Sequence, residues 1–175
     1  MIDKKNYFIS LVNSISRMEQ TPLPFLCAST MIEYLKNMSG YNDKYIDFIK
    51  DFFPKKYKDF EYSTGNQDLP EQMYYILRCG LVHSFTLFPD ENGLKKGARH
   101  RSILITHRSS CDGDHLKLIR KIGNNQYDSA LFVLEDFCCD IIEVIQNLFS
   151  DSKRESAINK FWDQTPPISW LGSAS

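Results

Sequence analysis

The residues best suited to chemistry are Arg78 and His83, five positions apart near the end of an apolar, helix-patterned segment. Arginine is always charged and presents a fork of donors that fits a phosphate. Histidine gives or takes a proton near neutral pH. Together they suit cleavage of a phosphodiester. His83 would activate a ribose 2′-hydroxyl or protonate the leaving oxygen, and Arg78 would stabilise the charge developing around phosphorus. That reaction requires no metal, and no cofactor is expected. The blander reading is an arginine and a histidine that merely share a helix, with His83 in a C-terminal turn.

The helix that must position this pair starts near Asp68-Leu69-Pro70, where Pro70 suits the first turn, and stops before Pro89. At about 100° per residue, Leu69, Met73, Ile76, Leu77, Gly80, Leu81 and Ser84 share one arc, the expected core face. Tyr75, Cys79 and Val82 fall opposite. Arg78 and His83 flank this second face, separated by about 140° of rotation, so they do not stack as an i, i+4 pair would. A helix apolar on two faces needs burial on both. The second face therefore calls for an inserted hairpin or a second copy of the chain. Two-fold docking would make Tyr75, Cys79 and Val82 the dimer interface and bring two Arg78 and two His83 into one cleft.

The string Tyr74-Tyr75-Ile76-Leu77-Arg78-Cys79-Gly80-Leu81-Val82-His83-Ser84 resembles the RxxxxH helix of HEPN domains. The family motif is an Arg, four to six residues, then a His. Here it is Arg78, four residues, His83. The resemblance is best over residues 68–86, and helices at about 22–38 and 42–53 are compatible with the family's bundle. It implies a helical bundle that dimerises through the motif helix. For many members it also implies metal-independent endoribonuclease activity in toxin–antitoxin, abortive-infection or CRISPR-linked defence. Carried over, Arg78 and His83 are the catalytic residues, with RNA as substrate and an antitoxin or other protein as a partner. Active members usually place Asn, Asp or His directly after the Arg, where this chain has Cys79. That departure speaks for the alternative, a non-catalytic HEPN-like dimer that binds RNA, a nucleotide or a partner protein.

The remaining elements follow from periodicity. Phe8, Leu11, Val12 and Ile15 predict a first helix over about 4–19; Ala28, Met31, Ile32 and Leu35 a second, stopped by Ser39-Gly40. Asn42 or Asp43 could cap a third, with Tyr45, Phe48, Ile49 and Phe52 on one face and Pro54 as its end. Residues 55–67 read as a loop. Ile103-Leu104-Ile105 and Leu116, Leu118 and Ile122, joined by Cys111-Asp112-Gly113-Asp114, predict a hairpin over about 102–122. A long helix should run from about Asp128 to Phe149, and a short one over about 152–162, with an extended tail over about 163–175. The expected fold is all-α: a HEPN-like helical bundle, one domain spanning 1–175, with a small inserted β-hairpin.

Of the 175 residues 42% are hydrophobic and 25% charged, which is the composition of a globular chain. The net charge of −1 excludes a general polycation, so nucleic acid would need a local patch. Lys95, Lys96, Arg99, His100, Arg101, His107 and Arg108 supply one, and Lys95, Lys96, Arg99, Arg101 and Arg108 are the expected RNA contacts. The other reading of this stretch is a solvated loop and a charged hairpin edge. His107, Cys111 and His115 could ligate a metal. An Asp-Gly turn explains the neighbouring acids more simply. Tyr41, Tyr45, Tyr57 and Tyr62 could stack on bases or pack in the core. The Cys138-Cys139 pair is expected to pack in the core. Five cysteines, an odd number with no CxxC pair, read as reduced thiols of a cytoplasmic protein. No signal-peptide core and no membrane-length apolar run is present, so no membrane partner is expected.

Overall fold

Helix α1 (Lys4–Ile15) begins where the Asp3 side chain accepts the Asn6 N–H at 3.2 Å, and it buries Phe8, Val12 and Ile15. The computed structural model describes residues 3–19, 22–42, 44–63, 68–84, 102–120 and 128–165, except the side chains of 83, 84 and 102. Helix α2 (Leu23–Met38) carries Pro24 in its first turn and buries Phe25, Ala28, Ile32 and Leu35. It ends at Gly40, whose φ of +68° suits glycine. A Cβ there would stand 2.8 Å from the Ala157 Cβ, so this turn also lets α7 (Glu155–Gln164) approach.

Helix α3 (Tyr45–Phe52) starts after Lys44, which takes the capping position expected of Asn42, while Asp43 lies outside the described residues. Pro54 separates it from a helical turn, α4 (Lys55–Lys58), inside the stretch expected to be a loop. The reason is Tyr57. Its ring is completely buried against Phe53 and Phe132, which anchors a segment whose lysines otherwise face water.

The expected hairpin is replaced by a three-stranded sheet. Strand β1 (Ser102–Thr106) and strand β2 (Leu118–Ile119) do not pair with each other; both pair with β3 (Ser129–Val133), in the order β1-β3-β2. β1 runs parallel to β3, from Ser102 opposite Ser129 to Thr106 opposite Val133. β2 is antiparallel, with Leu118 opposite Ala130. The long helix expected from Asp128 is therefore shorter. Its first residues form the central strand, and α6 (Leu134–Ser150) follows directly. Every residue of β3 is buried, so it shows no alternation of apolar and polar positions. Such a run cannot be distinguished from a buried helix by period alone.

The chain is thus mostly helical with a small sheet. Buried side chains from Phe8 to Trp162 form one continuous core. Tyr45, Tyr57 and Tyr62 are part of it, so they pack instead of presenting free ring faces. Among the described residues no helix is long and apolar enough to cross a membrane.

Candidate functional site

The segment bearing Arg78 and His83 starts as an α-helix and then widens. Asp68 caps α5 (Leu69–Gln72) by accepting the Glu71 N–H at 2.9 Å, and Pro70 sits in its first turn. From Met73 to Ser84 the chain is a π-helix, in which each N–H reaches back five residues instead of four. Leu69, Met73, Leu77 and Leu81 recur every four residues and are all buried, with Ile76 beside them. On an α-helix such a row drifts by about 40° per step. A wider turn keeps it closer to one line, so the row stays in the core.

Widening also changes the motif. The 140° separation expected of an α-helix does not apply, because Arg78 and His83 stand one i→i+5 step apart. In a π-helix that step takes the hydrogen-bonding part of i→i+4 in an α-helix, so the rotation between the two backbone positions narrows without their stacking directly. The His83 side chain lies outside the described residues. Another pair at the same spacing does interact. Cys79, acting first by charge and then, after burial, by a side-chain hydrogen bond, holds the Tyr74 phenol above its ordinary pKa.

Arg78 is half-buried and surrounded. Its Nε lies 3.6 Å from Glu33 Oε2 of α2. Its guanidinium carbon stands 6.0 Å from the centre of the Tyr74 ring. Its NH1 points to the Cys79 sulfur at 3.9 Å. Burial alone pulls the Arg78 pKa down, but Cys79, Glu33 and Tyr74 outweigh it, and the group ends above the usual arginine value. Beside this cluster Tyr45 of α3 is buried, and its hydroxyl has no hydrogen-bond partner. Burial first, then the Glu33 carboxylate, raises its pKa far above the ordinary phenol.

The second face of this helix is only partly covered. β1 packs against the π-helix and α2 packs along it. Tyr75 and Cys79 are half-buried, while Val82 is 40% exposed. Val82 and Leu23 are the exposed large hydrophobic side chains among the described residues.

Of the expected RNA contacts, Lys95, Lys96, Arg99 and Arg101 lie outside the described residues, as does His100. Arg108 is placed, and it is engaged. Its guanidinium pairs with Asp136, its NH1 donates to the Gly113 carbonyl at 3.0 Å, and its backbone N–H donates to Glu135 Oε2 at 2.9 Å. It ties the 107–117 connection to the start of α6.

The three side chains weighed as metal ligands go to different partners. His107 Nδ1 is 3.5 Å from Glu135, the Cys111 sulfur accepts the Gly113 N–H, and His115 turns inward. His115 Nδ1 accepts the Val133 N–H at 3.1 Å, which puts the proton of the neutral ring on Nε2. That nitrogen is 2.9 Å from the Tyr57 hydroxyl and 3.3 Å from Asp140 Oδ2. Tyr57 donates to Asp140 at 2.7 Å, and Lys56 Nζ lies 2.8 Å from the same carboxylate. Burial holds His115 below the ordinary histidine pKa. Asp140 ends below the usual carboxylate value although burial pushes it up, because bonds from His115, Lys56 and Tyr57 outweigh that push. The group is a satisfied clamp joining α4, the 107–117 connection and α6.

Comparison with protein-family models, curated proteins and solved structures finds no match.

Glu33 escaped the reading by motif. Its signal was present, since it is the one acidic residue of α2, but nothing in the spacing links it to Arg78 across helices. The cysteines separate by environment. Cys138 is in the core, where burial pushes its thiol up to about 12. Cys139 is exposed, against the expectation that both would pack inside.

Proposed function

We propose that this chain is a HEPN-type, metal-independent endoribonuclease that acts as a homodimer, with Arg78 and His83 of both copies at a shared cleft. The observation that carries the reading is the i→i+5 helix over Met73–Ser84, whose step matches the spacing of Arg78 and His83. The uncovered Val82 beside Cys79 and Tyr75 supports docking of a second copy along the same helix.

In this scheme one His83 takes the proton of a ribose 2′-hydroxyl as that oxygen attacks phosphorus. The bond from phosphorus to the 5′ oxygen breaks. A protonated His83 gives a proton to that leaving oxygen. Arg78 holds the non-bridging oxygens as their charge grows. The products are a 2′,3′-cyclic phosphate and a 5′-hydroxyl end. The resemblance places such an enzyme in bacterial defence or a toxin–antitoxin pair, with an antitoxin or other protein as its partner.

One observation favours a second reading, a non-catalytic dimer that binds RNA, a nucleotide or a partner protein. Cys79 stands where active relatives usually carry Asn, Asp or His, and it engages Arg78 itself. Growth on expression separates the two. Toxicity relieved by His83→Ala supports the enzyme, and equal growth of both strains supports the binding module.

A further inference from the structure

We propose that His115 is an acid-sensitive latch, whose protonation breaks its bond with the Val133 amide and lets the 107–117 connection lift locally from the end of β3. The inference does not depend on the ribonuclease reading above.

The latch is built around one acceptor. The Val133 N–H, at the last residue of β3 and the point where α6 starts, donates to His115 Nδ1 at 3.1 Å. Only a neutral ring can accept it, because both nitrogens of an imidazolium carry protons. Turning the ring over gives no relief, since each edge of the charged ring is a donor. The His115 side chain is 4% exposed, so protonation in place would leave a buried N–H facing a second donor.

The groups around the ring set the balance. From α4 come the Tyr57 hydroxyl, 2.9 Å from Nε2, and the charge of Lys56. From α6 comes Asp140, 3.3 Å from Nε2, and the connection itself brings Arg108. The Phe132 ring of β3 and the Phe137 ring of α6 add apolar walls. Asp140 favours a charged ring, but its carboxylate is already shared by the Tyr57 hydroxyl and the Lys56 ammonium. Burial opposes the charge most, and Lys56 and Arg108 oppose it too. The ring therefore takes up a proton more readily once the connection has lifted and water reaches it, which couples acid to opening.

The next residue biases the segment toward release. Leu116 has φ of +62°, in the left-handed region that a residue with a Cβ rarely adopts. It is held there by pairing with Leu131. The Leu116 N–H donates to the Leu131 carbonyl at 2.7 Å, and the Leu131 N–H donates to the Lys117 carbonyl at 3.0 Å. Strain of this kind persists only where the surroundings enforce it, and it gathers in segments that switch. Strand β2 then adds just two residues of pairing to keep the connection closed.

The test is amide hydrogen exchange of the full chain, followed by NMR from about pH 7.5 to about pH 5, with each rate divided by its intrinsic chemical rate. The opening constants of Val133 and Leu116 should exceed that of Val12, in the core of α1, by about tenfold or more. Below the ordinary histidine value of 6.5 they should rise by up to about tenfold per pH unit. Ring nitrogen shifts should report a bare Nδ1 and a protonated Nε2 at neutral pH. His115→Asn places an oxygen near the position of Nδ1, so it keeps an acceptor for Val133 and does not titrate. Its Val133 opening constant should change by less than about twofold per pH unit. Equal opening constants for Val133 and Val12 would mean that the bond breaks only in global unfolding, which overturns the latch. A proton on Nδ1 at neutral pH, or a Val133 opening constant independent of pH, overturns it as well. So does a full slope retained in His115→Asn, which moves the proton to another group on the connection such as His107. The wild-type comparisons decide alone where His115→Asn fails to fold.

Discussion

His83 follows Arg78 by one i→i+5 step of a π-helix, so the widened backbone sets the register of the motif. The consequence is testable by moving the histidine. In an α-helix, position 83 would stand well round the helix from Arg78; in this helix the wider turn brings position 83 closer to it. The double variant Val82→His/His83→Val should lose RNA cleavage by about 10²-fold or more, the usual contribution of a positioned acid–base group. Activity equal to wild type would show that the step is not what aligns the pair.

Val82 is the exposed apolar residue of the same helix. If a second copy covers it, Val82→Asp places a charge in a desolvated interface on both sides of the two-fold. Sedimentation should find the wild type dimeric and Val82→Asp monomeric at the same micromolar concentration, with the melting temperature of the isolated chain little changed. A wild type that sediments as a monomer would remove the shared cleft from the account.

The clamp of His115, Tyr57, Asp140 and Lys56 gives the stability a direction in pH. His115 titrates below its ordinary value of 6.5, so the unfolded chain takes up its proton first and stability falls as pH drops below that value. Asp140 titrates below 3.8, so its contribution is complete above that pH and is lost as pH falls through its lower folded value. Melting curves from about pH 8 to about pH 3 should show a decline in two stages. Asp140→Asn should cost about 2–3 kcal/mol near neutrality and flatten the second stage. A melting temperature independent of pH over this range would contradict the assignment.

Gly40 closes α2 with φ of +68° and faces Ala157. An added methyl meets both a strained backbone and a neighbour 2.8 Å away. Gly40→Ala is expected to cost about 2 kcal/mol and lower the melting temperature by about 5 °C, read by circular dichroism. An unchanged melting temperature would mean that α7 can move aside.

The longer helices were legible because their apolar residues repeat at helical spacing and because Pro24, Asp68 and Pro70 mark two of their starts, whereas the short turn at Lys55–Lys58 was not. The sheet was not. Ser129–Val133 is buried on both faces, so its sequence carries no strand period, and its partners come from either side of an eleven-residue turn region that the eye pairs with itself. Local pattern also could not show the widening after Gln72, although the strict four-residue row of Leu69, Met73, Leu77 and Leu81 was there to be read. Arg78 was legible from the motif. Glu33 was not, because its link to Arg78 exists only through the packing of α2 on the π-helix.

The most direct test of the central claim is cleavage of structured and single-stranded RNA in EDTA by the wild type, Arg78→Ala and His83→Ala. The account predicts wild-type products with 2′,3′-cyclic phosphate ends, and activity lost by about 10²-fold or more in each variant. No cleavage of any RNA, or equal cleavage by all three proteins, would contradict it and leave the binding dimer as the better description.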